Sequence, residues 1–112
     1  MISLALVTAL ALSAAQSGPP VQPRNDFADC LSRFSKEKIG EKLEEAAFRP
    51  ALKSACAAQE EAFRAAMIKY DVKMGSKKGA AEDGVALEID DYLTSTVENY
   101  IVHTRGPTKK PQ

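Results

Sequence analysis

Apolar residues recur every three or four positions along most of the chain, which is the spacing of one buried face of an α-helix. The most regular stretch runs from Phe48 through Phe63 to Met74. It predicts one amphipathic helix of about seven turns, with Pro50 in its first turn, where proline is tolerated. Gly75 follows as a natural helix terminator.

Two further stripes flank this long segment. Phe27, Leu31 and Phe34 predict a first helix, for which Asn25 and Asp26 are good N-cap residues. The segment from Ile39 to Ala47 predicts a second, short helical piece, and a bend near Gly40 to Leu43 would return the chain along the first helix. A last helix is expected to begin between Ala80 and Asp83 and to end at Val102.

The predicted fold class is all-α, because no stretch alternates with the period of a β-strand. We expect a small bundle of three to four helices that contains an antiparallel pair of long helices. Charge supports that pairing, since residues 51–78 carry an excess of basic side chains and residues 79–102 carry six acidic and no basic ones. The predicted core consists of Phe27, Leu31, Phe34, Phe48, Leu52, Phe63, Met67, Tyr70, Ile89, Leu93, Val97 and Tyr100.

The amino terminus has the form of a secretory signal. Residues 1–15 are apolar, carry no charged side chain and end in Ser13-Ala14-Ala15, small residues that suit a signal peptidase. The apolar run is too short to cross a bilayer, which needs roughly 20 residues. We therefore expect an exported protein, periplasmic or secreted, with a signal peptide at 1–15, a proline-rich flexible spacer at 16–25, a helical domain at 26–103 and a basic disordered tail at 104–112.

Export determines how Cys30 and Cys56 are interpreted. They are the only two cysteines, and an oxidising compartment favours their pairing in a disulfide that staples the bundle. A redox pair would normally have the Cys-x-x-Cys spacing, and two cysteines with one distant histidine make a poor zinc site. No metal or cofactor is expected.

Charge and hydropathy argue against several kinds of partner. Fifteen basic residues balance fifteen acidic ones. A domain that binds nucleic acid is normally basic, so no nucleic-acid partner is expected. No apolar run after the signal is long enough for stable membrane insertion. The expected partner is another envelope protein or a second copy of the chain.

Catalytic signals are weak. His103 is the single histidine and falls at the end of the last predicted helix, where a cationic side chain interacts favourably with the helix dipole. Ser35 and Lys38 match the Ser-x-x-Lys acyl-enzyme pattern, but the accompanying motifs and the necessary chain length are missing. We therefore expect no enzymatic activity.

A possible partner surface lies on the last predicted helix. Glu88, Asp91, Ser95 and Glu98 follow one another at spacings of three and four, so they form one acidic stripe. The stripe is either a solvated helix face or a contact surface for a basic partner. The Glu-x-x-His pairs typical of a di-metal bundle are absent.

The sequence thus predicts a small exported, non-catalytic binding module, either an inhibitor of envelope enzymes or a stress or chaperone-type protein. The alternative is a self-assembling structural component of the envelope. Tyr92 and Tyr100 share one side of the last helix and could mediate such assembly. A small enzyme is the remaining, weaker alternative.

Overall fold

The computed structural model describes residues 18–106, and all of its regular structure is helical. Helix α1 spans Val21–Lys38, a short 3-10 turn spans Ile39–Glu41, α2 spans Glu45–Ala55, α3 spans Ala57–Lys73 and α4 spans Lys78–Arg105. The all-α bundle predicted from the sequence is confirmed. The predicted signal peptide and most of the predicted tail lie outside the described residues.

Helix α1 begins earlier than the sequence indicated. The segment 16–25 was predicted to be a flexible spacer, but residues 21–25 are the first five residues of α1. Pro20 occupies the N-cap position and Pro23 the third helical position. The first four backbone N–H groups of a helix have no intrahelical partner, so proline costs little there. Asp26, predicted as a cap, instead accepts a hydrogen bond from Gln22 Nε2 at 2.7 Å.

The connection after α1 forms the predicted bend. Lys42 adopts the left-handed conformation (φ 47°, ψ 49°), and its N–H donates to the carbonyl of Ile39. The chain then reverses direction. The ring centres of Phe27 and Phe63 lie 5.8 Å apart, as do those of Phe34 and Phe48. The first half of α1 thus contacts α3 and its second half contacts α2, so α1 runs antiparallel to both.

The long helix predicted from Phe48 to Met74 is divided at Cys56. This residue has φ −108° and ψ 17°, outside the helical range, while the hydrogen bonds from Cys56 N to Leu52 O and from Glu60 N to Cys56 O continue on either side of it. The break is therefore a kink. Pro50 lies inside α2, not in the first turn of a helix, because α2 already begins at Glu45.

Helix α4 runs antiparallel to α3, as predicted, and parallel to α1. Gly75 (φ 108°) turns the short connection from α3 into α4. Helix α4 begins at Lys78 and continues to Arg105, so it is longer at both ends than predicted and includes two residues assigned to the tail. Gly106 (φ 81°) ends it.

The core forms one cluster that involves all four helices. Ten of the twelve predicted core residues are buried, whereas Phe34 and Tyr70 are half-buried. Phe34 still packs against the cluster from its edge. Cys56, Ala81 and Val85 are buried in addition to the predicted set. Helix α4 packs directly against α3 and α2, and α1 packs against α2, α3 and α4. The surface between α1 and α4 is therefore one face of the bundle.

Candidate functional site

The predicted acidic stripe is only partly preserved as a unit. Glu88 is half-buried, turns toward α1 and forms a salt bridge with Arg24. Asp91 and Ser95 are exposed and line a shallow cavity of about 310 Å³ together with Glu88 and Arg24. Glu98 is exposed and does not line this cavity. The structure therefore brings three of the four predicted residues together and separates the fourth.

Arg24 anchors the first half of α1 to α3 and α4. Its guanidinium donates to Glu88 and, at 3.3 Å, to the hydroxyl of Tyr92, and it lies 5.1 Å from the centre of the Phe63 ring. A contact of 3.7 Å to the sulfur of Met67 completes the set. The hydrogen bond to Tyr92 and the charge of Glu88 raise the pKa of Arg24, although partial burial opposes them. The side chain therefore remains cationic at every physiological pH.

A larger cavity of about 500 Å³, which we term the α1–α4 groove, lies next to this cluster and shares Tyr92 with it. Its floor is apolar and its rim is polar. The floor is formed by Ala28, Leu31, Ile39, Tyr92 and Tyr100, and the rim by Ser32, Ser35, Lys36, Thr96, Asn99 and His103. This combination of an apolar surface with a few polar groups is typical of a binding site.

Two of the rim hydroxyls are already engaged within their own helices. Ser35 Oγ donates to the carbonyl of Leu31 at 2.9 Å, and Thr96 Oγ1 donates to the carbonyl of Tyr92 at 2.7 Å. Their protons are therefore not available to a ligand without loss of these bonds. Lys36 and His103, by contrast, form no salt bridge with any residue between 18 and 106.

Tyr100 fixes the end of the groove at which α1 terminates. Its hydroxyl donates to the carbonyl of Lys38 at 2.7 Å and accepts from the N–H of Leu43 at 2.9 Å. Its ring stacks on Phe48 with the ring centres 3.8 Å apart. One side chain of α4 thus holds the end of α1, the bend and the start of α2 in place.

The disulfide acts on the opposite side of α1. Cys30 and Cys56 are bonded as predicted, with their Cα atoms 5.8 Å apart, and the described residues contain no free cysteine. The bond connects α1 to the kink between α2 and α3. Because it supports α1 from behind, the disulfide helps to define one wall of the groove without taking part in its surface.

The Ser-x-x-Lys pattern is used structurally. Lys38 forms a salt bridge of 3.0 Å with Glu41, and its ammonium lies 5.7 Å from the centre of the Phe34 ring. Ser35 donates to its own helix, as described above. Residues 18–106 contain no group of three His, Cys, Asp or Glu side chains placed to hold a metal ion. Over the same range, no helix combines the length and apolar character needed to span a membrane.

The groove could not be identified from the sequence, because its two walls lie more than fifty residues apart in the chain. Arg24 fell within the predicted spacer, and Tyr92 was expected as a residue that could mediate self-assembly. The only available signal was the pair of unlike charges on Arg24 and Glu88. Nothing in their local patterns relates one to the other.

No protein-family model matches the chain, and neither the curated proteins nor the solved structures include a significant match. Its function is therefore inferred from the residues of the site.

Proposed function

We propose that this chain is an exported, non-catalytic binding module that holds a segment of another protein in the α1–α4 groove. The observation that carries the proposal is the groove itself, which has a volume of about 500 Å³, an apolar floor and a polar rim. Both an inhibitor of an envelope enzyme and a chaperone-type protein act by this kind of binding.

The groove is suited to binding because its walls are fixed before a partner arrives. The contacts of Arg24 hold one end of α1, Tyr100 holds the other end, and the disulfide supports the middle. A preorganised site loses less conformational entropy on binding, so more of the contact energy contributes to affinity. Buried apolar area would supply about 25 cal/mol per Å².

A matched pair of substitutions tests the proposal. Ser32 lines the groove and Ser54 lies on α2, and both are exposed serines in helices. Ser32→Trp places an indole at the groove rim, while Ser54→Trp makes the same chemical change elsewhere. Each variant and the wild type are produced in the native cell, cross-linked, and their bound proteins quantified by mass spectrometry.

We expect Ser32→Trp to lose the protein partner that the wild type and Ser54→Trp retain, while all three proteins give the same helical circular dichroism spectrum. Equal partner recovery from the two variants would contradict the proposal. Recovery of the chain with an intact Met1 would contradict the exported location.

A self-assembling component is the second candidate, supported by exposed apolar side chains. Met74, at the end of α3, is 66% exposed, and Leu87, the tenth residue of α4, is 70% exposed. The tyrosines that first indicated this alternative do not support it, because Tyr100 is buried and Tyr92 packs against Phe27. Sedimentation analysis of Leu87→Lys is the test. If the chain assembles through Leu87, the wild type should form an oligomer that Leu87→Lys dissociates. A monomeric wild type would contradict self-assembly.

A further inference from the structure

We infer that the segment bound in the α1–α4 groove is an amphipathic helix with a basic side chain at one end and an acidic side chain at the other. This inference rests on the proposed function. It follows from the unpaired charges at the two ends of the site, from the distance between them and from the chemistry of the floor.

One end of the site is basic. Lys36, in the last turns of α1, and His103, near the end of α4, both line the groove and are exposed. Neither forms a salt bridge within residues 18–106. An acidic group of the ligand placed here would meet an unpaired cation.

The other end is acidic. Glu88 and Asp91 line the smaller cavity that adjoins the groove at Tyr92. The charge of Glu88 is balanced by Arg24, whereas Asp91 is exposed and has no cationic partner among the described residues. A basic group of the ligand would therefore be attracted to Asp91. Charge complementarity at both ends fixes the polarity of the occupant.

The separation of the two ends of the site sets the length of the occupant. Asp91 and His103 are twelve residues apart in one helix. At about 1.5 Å per residue this corresponds to roughly 18 Å. A bound helix of about twelve residues, or slightly more than three turns, covers the same distance.

The floor favours a helix over an extended segment. Leu31 and Tyr100 are buried beneath the groove, and the hydroxyls of Ser35 and Thr96 donate to their own helices. An extended segment would bring unpaired backbone N–H and C=O groups to this surface, whereas a helix satisfies its backbone internally. Parallel α1 and α4 also present the groove into which apolar side chains at helical spacing pack.

Three synthetic fourteen-residue peptides provide the test. All share one set of leucines at positions 3, 7 and 10, and they differ only in their terminal charges. The bipolar peptide has two lysines at one end and two glutamates at the other, the second peptide has lysines at both ends, and the third has glutamates at both ends. Binding of each labelled peptide to the oxidised protein is measured by fluorescence anisotropy at physiological salt.

We expect the bipolar peptide to bind about tenfold more tightly than either uniform peptide, because each uniform peptide replaces one attractive pair of charges with a repulsive one. Two exposed substitutions should redirect the preference. Lys36→Glu reverses the charge of the lysine at the basic end, where His103 remains, and should shift the preference toward the lysine peptide. Asp91→Lys makes both ends basic and should favour the glutamate peptide.

Equal affinity for the three peptides, no measurable binding of the bipolar peptide, or unchanged preferences in the variants would each overturn the inference. A wild-type dimer that Lys36→Glu dissociates would also overturn it, by showing that a second copy occupies the site. The proposed function is judged separately. If Ser32→Trp still abolishes partner capture while the peptides show no charge preference, the binding module stands and only the chemistry of its partner is wrong.

Discussion

Replacing Tyr100 with phenylalanine removes a single oxygen and leaves two backbone groups without their partner. Tyr100 is only 2% exposed, and its hydroxyl pairs with the carbonyl of Lys38 and the N–H of Leu43. A buried polar group that loses its partner costs about 1–3 kcal/mol. Lys38 and Leu43 are half-buried, so water can compensate in part. We therefore expect Tyr100→Phe to lower the free energy of unfolding by about 2 kcal/mol.

Tyr70 provides the matched control. It is half-buried on α3, and its hydroxyl makes no hydrogen bond to another residue in the range 18–106. Tyr70→Phe should therefore change the free energy of unfolding by less than about 0.5 kcal/mol. Urea unfolding of both variants, followed by circular dichroism at 222 nm, gives the comparison. At a slope of about 1–2 kcal/mol per molar, the expected loss in Tyr100→Phe shifts the midpoint by about 1–2 M.

Hydrogen exchange identifies the cause of that loss. If the phenolic oxygen holds the bend, the amide of Leu43 should lose its protection in Tyr100→Phe, while the amides in the middle of α3 exchange as in the wild type. Equal midpoints for the two variants, or an unchanged exchange rate at Leu43, would refute the role assigned to Tyr100.

Three other perturbations test the supports of the groove. Substituting both cysteines, as Cys30→Ala with Cys56→Ala, should lower the free energy of unfolding by about 3.5 kcal/mol, because the bond closes a loop with a sequence separation of 26; a urea midpoint equal to that of the wild type would contradict this. Arg24→Gln should cost about 1 kcal/mol, since the side chain is about one-third exposed, and should speed amide exchange in the first half of α1. Because the raised pKa of Arg24 keeps the side chain charged until strongly alkaline pH, the difference in free energy of unfolding between wild type and Arg24→Gln should be constant from pH 6 to 9. A loss of this difference within that pH range would contradict the role assigned to Arg24. Phe48→Ala should cost about 3–5 kcal/mol in the same urea experiment, because it opens a cavity beneath Tyr100, and a loss below about 1 kcal/mol would contradict the packing described.

The sequence predicted the periodic parts of the fold well, because burial on one helix face leaves a direct trace in the chain. Ile89, Leu93 and Val97 recur every four residues and are all buried in α4. The Cys30–Cys56 pairing was predictable for a different reason, since two cysteines allow only one intramolecular bond.

The kink and the early start of α1 were not predictable by the same reasoning. A change of backbone angles at Cys56 alters neither the spacing of its neighbours nor the hydrogen bonds on either side, so the pattern from Phe48 to Met74 looks continuous. At the start of α1, Pro20 and Pro23 resemble a spacer locally. They are compatible with a first helical turn, which tertiary contacts of Arg24 stabilise.

The candidate site was the least predictable feature, because it depends on how two helices that are distant in sequence lie side by side. The acidic stripe on α4 contained Asp91, which marks one end of the site. The sequence could not reveal that Glu88 turns toward α1, nor that Lys36 and His103 meet at the other end. These relations arise from packing, not from local spacing.

The most direct test of the binding role is to place a photo-activated benzoylphenylalanine at Asn99, on the groove rim, and at Ala58, an exposed position on α3. After irradiation in the native cell, mass spectrometry identifies the residues joined to each position. We predict adducts at Asn99 that map to one helical segment of one other protein, and no such adduct at Ala58. The same adducts at both positions, or none at Asn99, would contradict the assignment of the α1–α4 groove as the binding site.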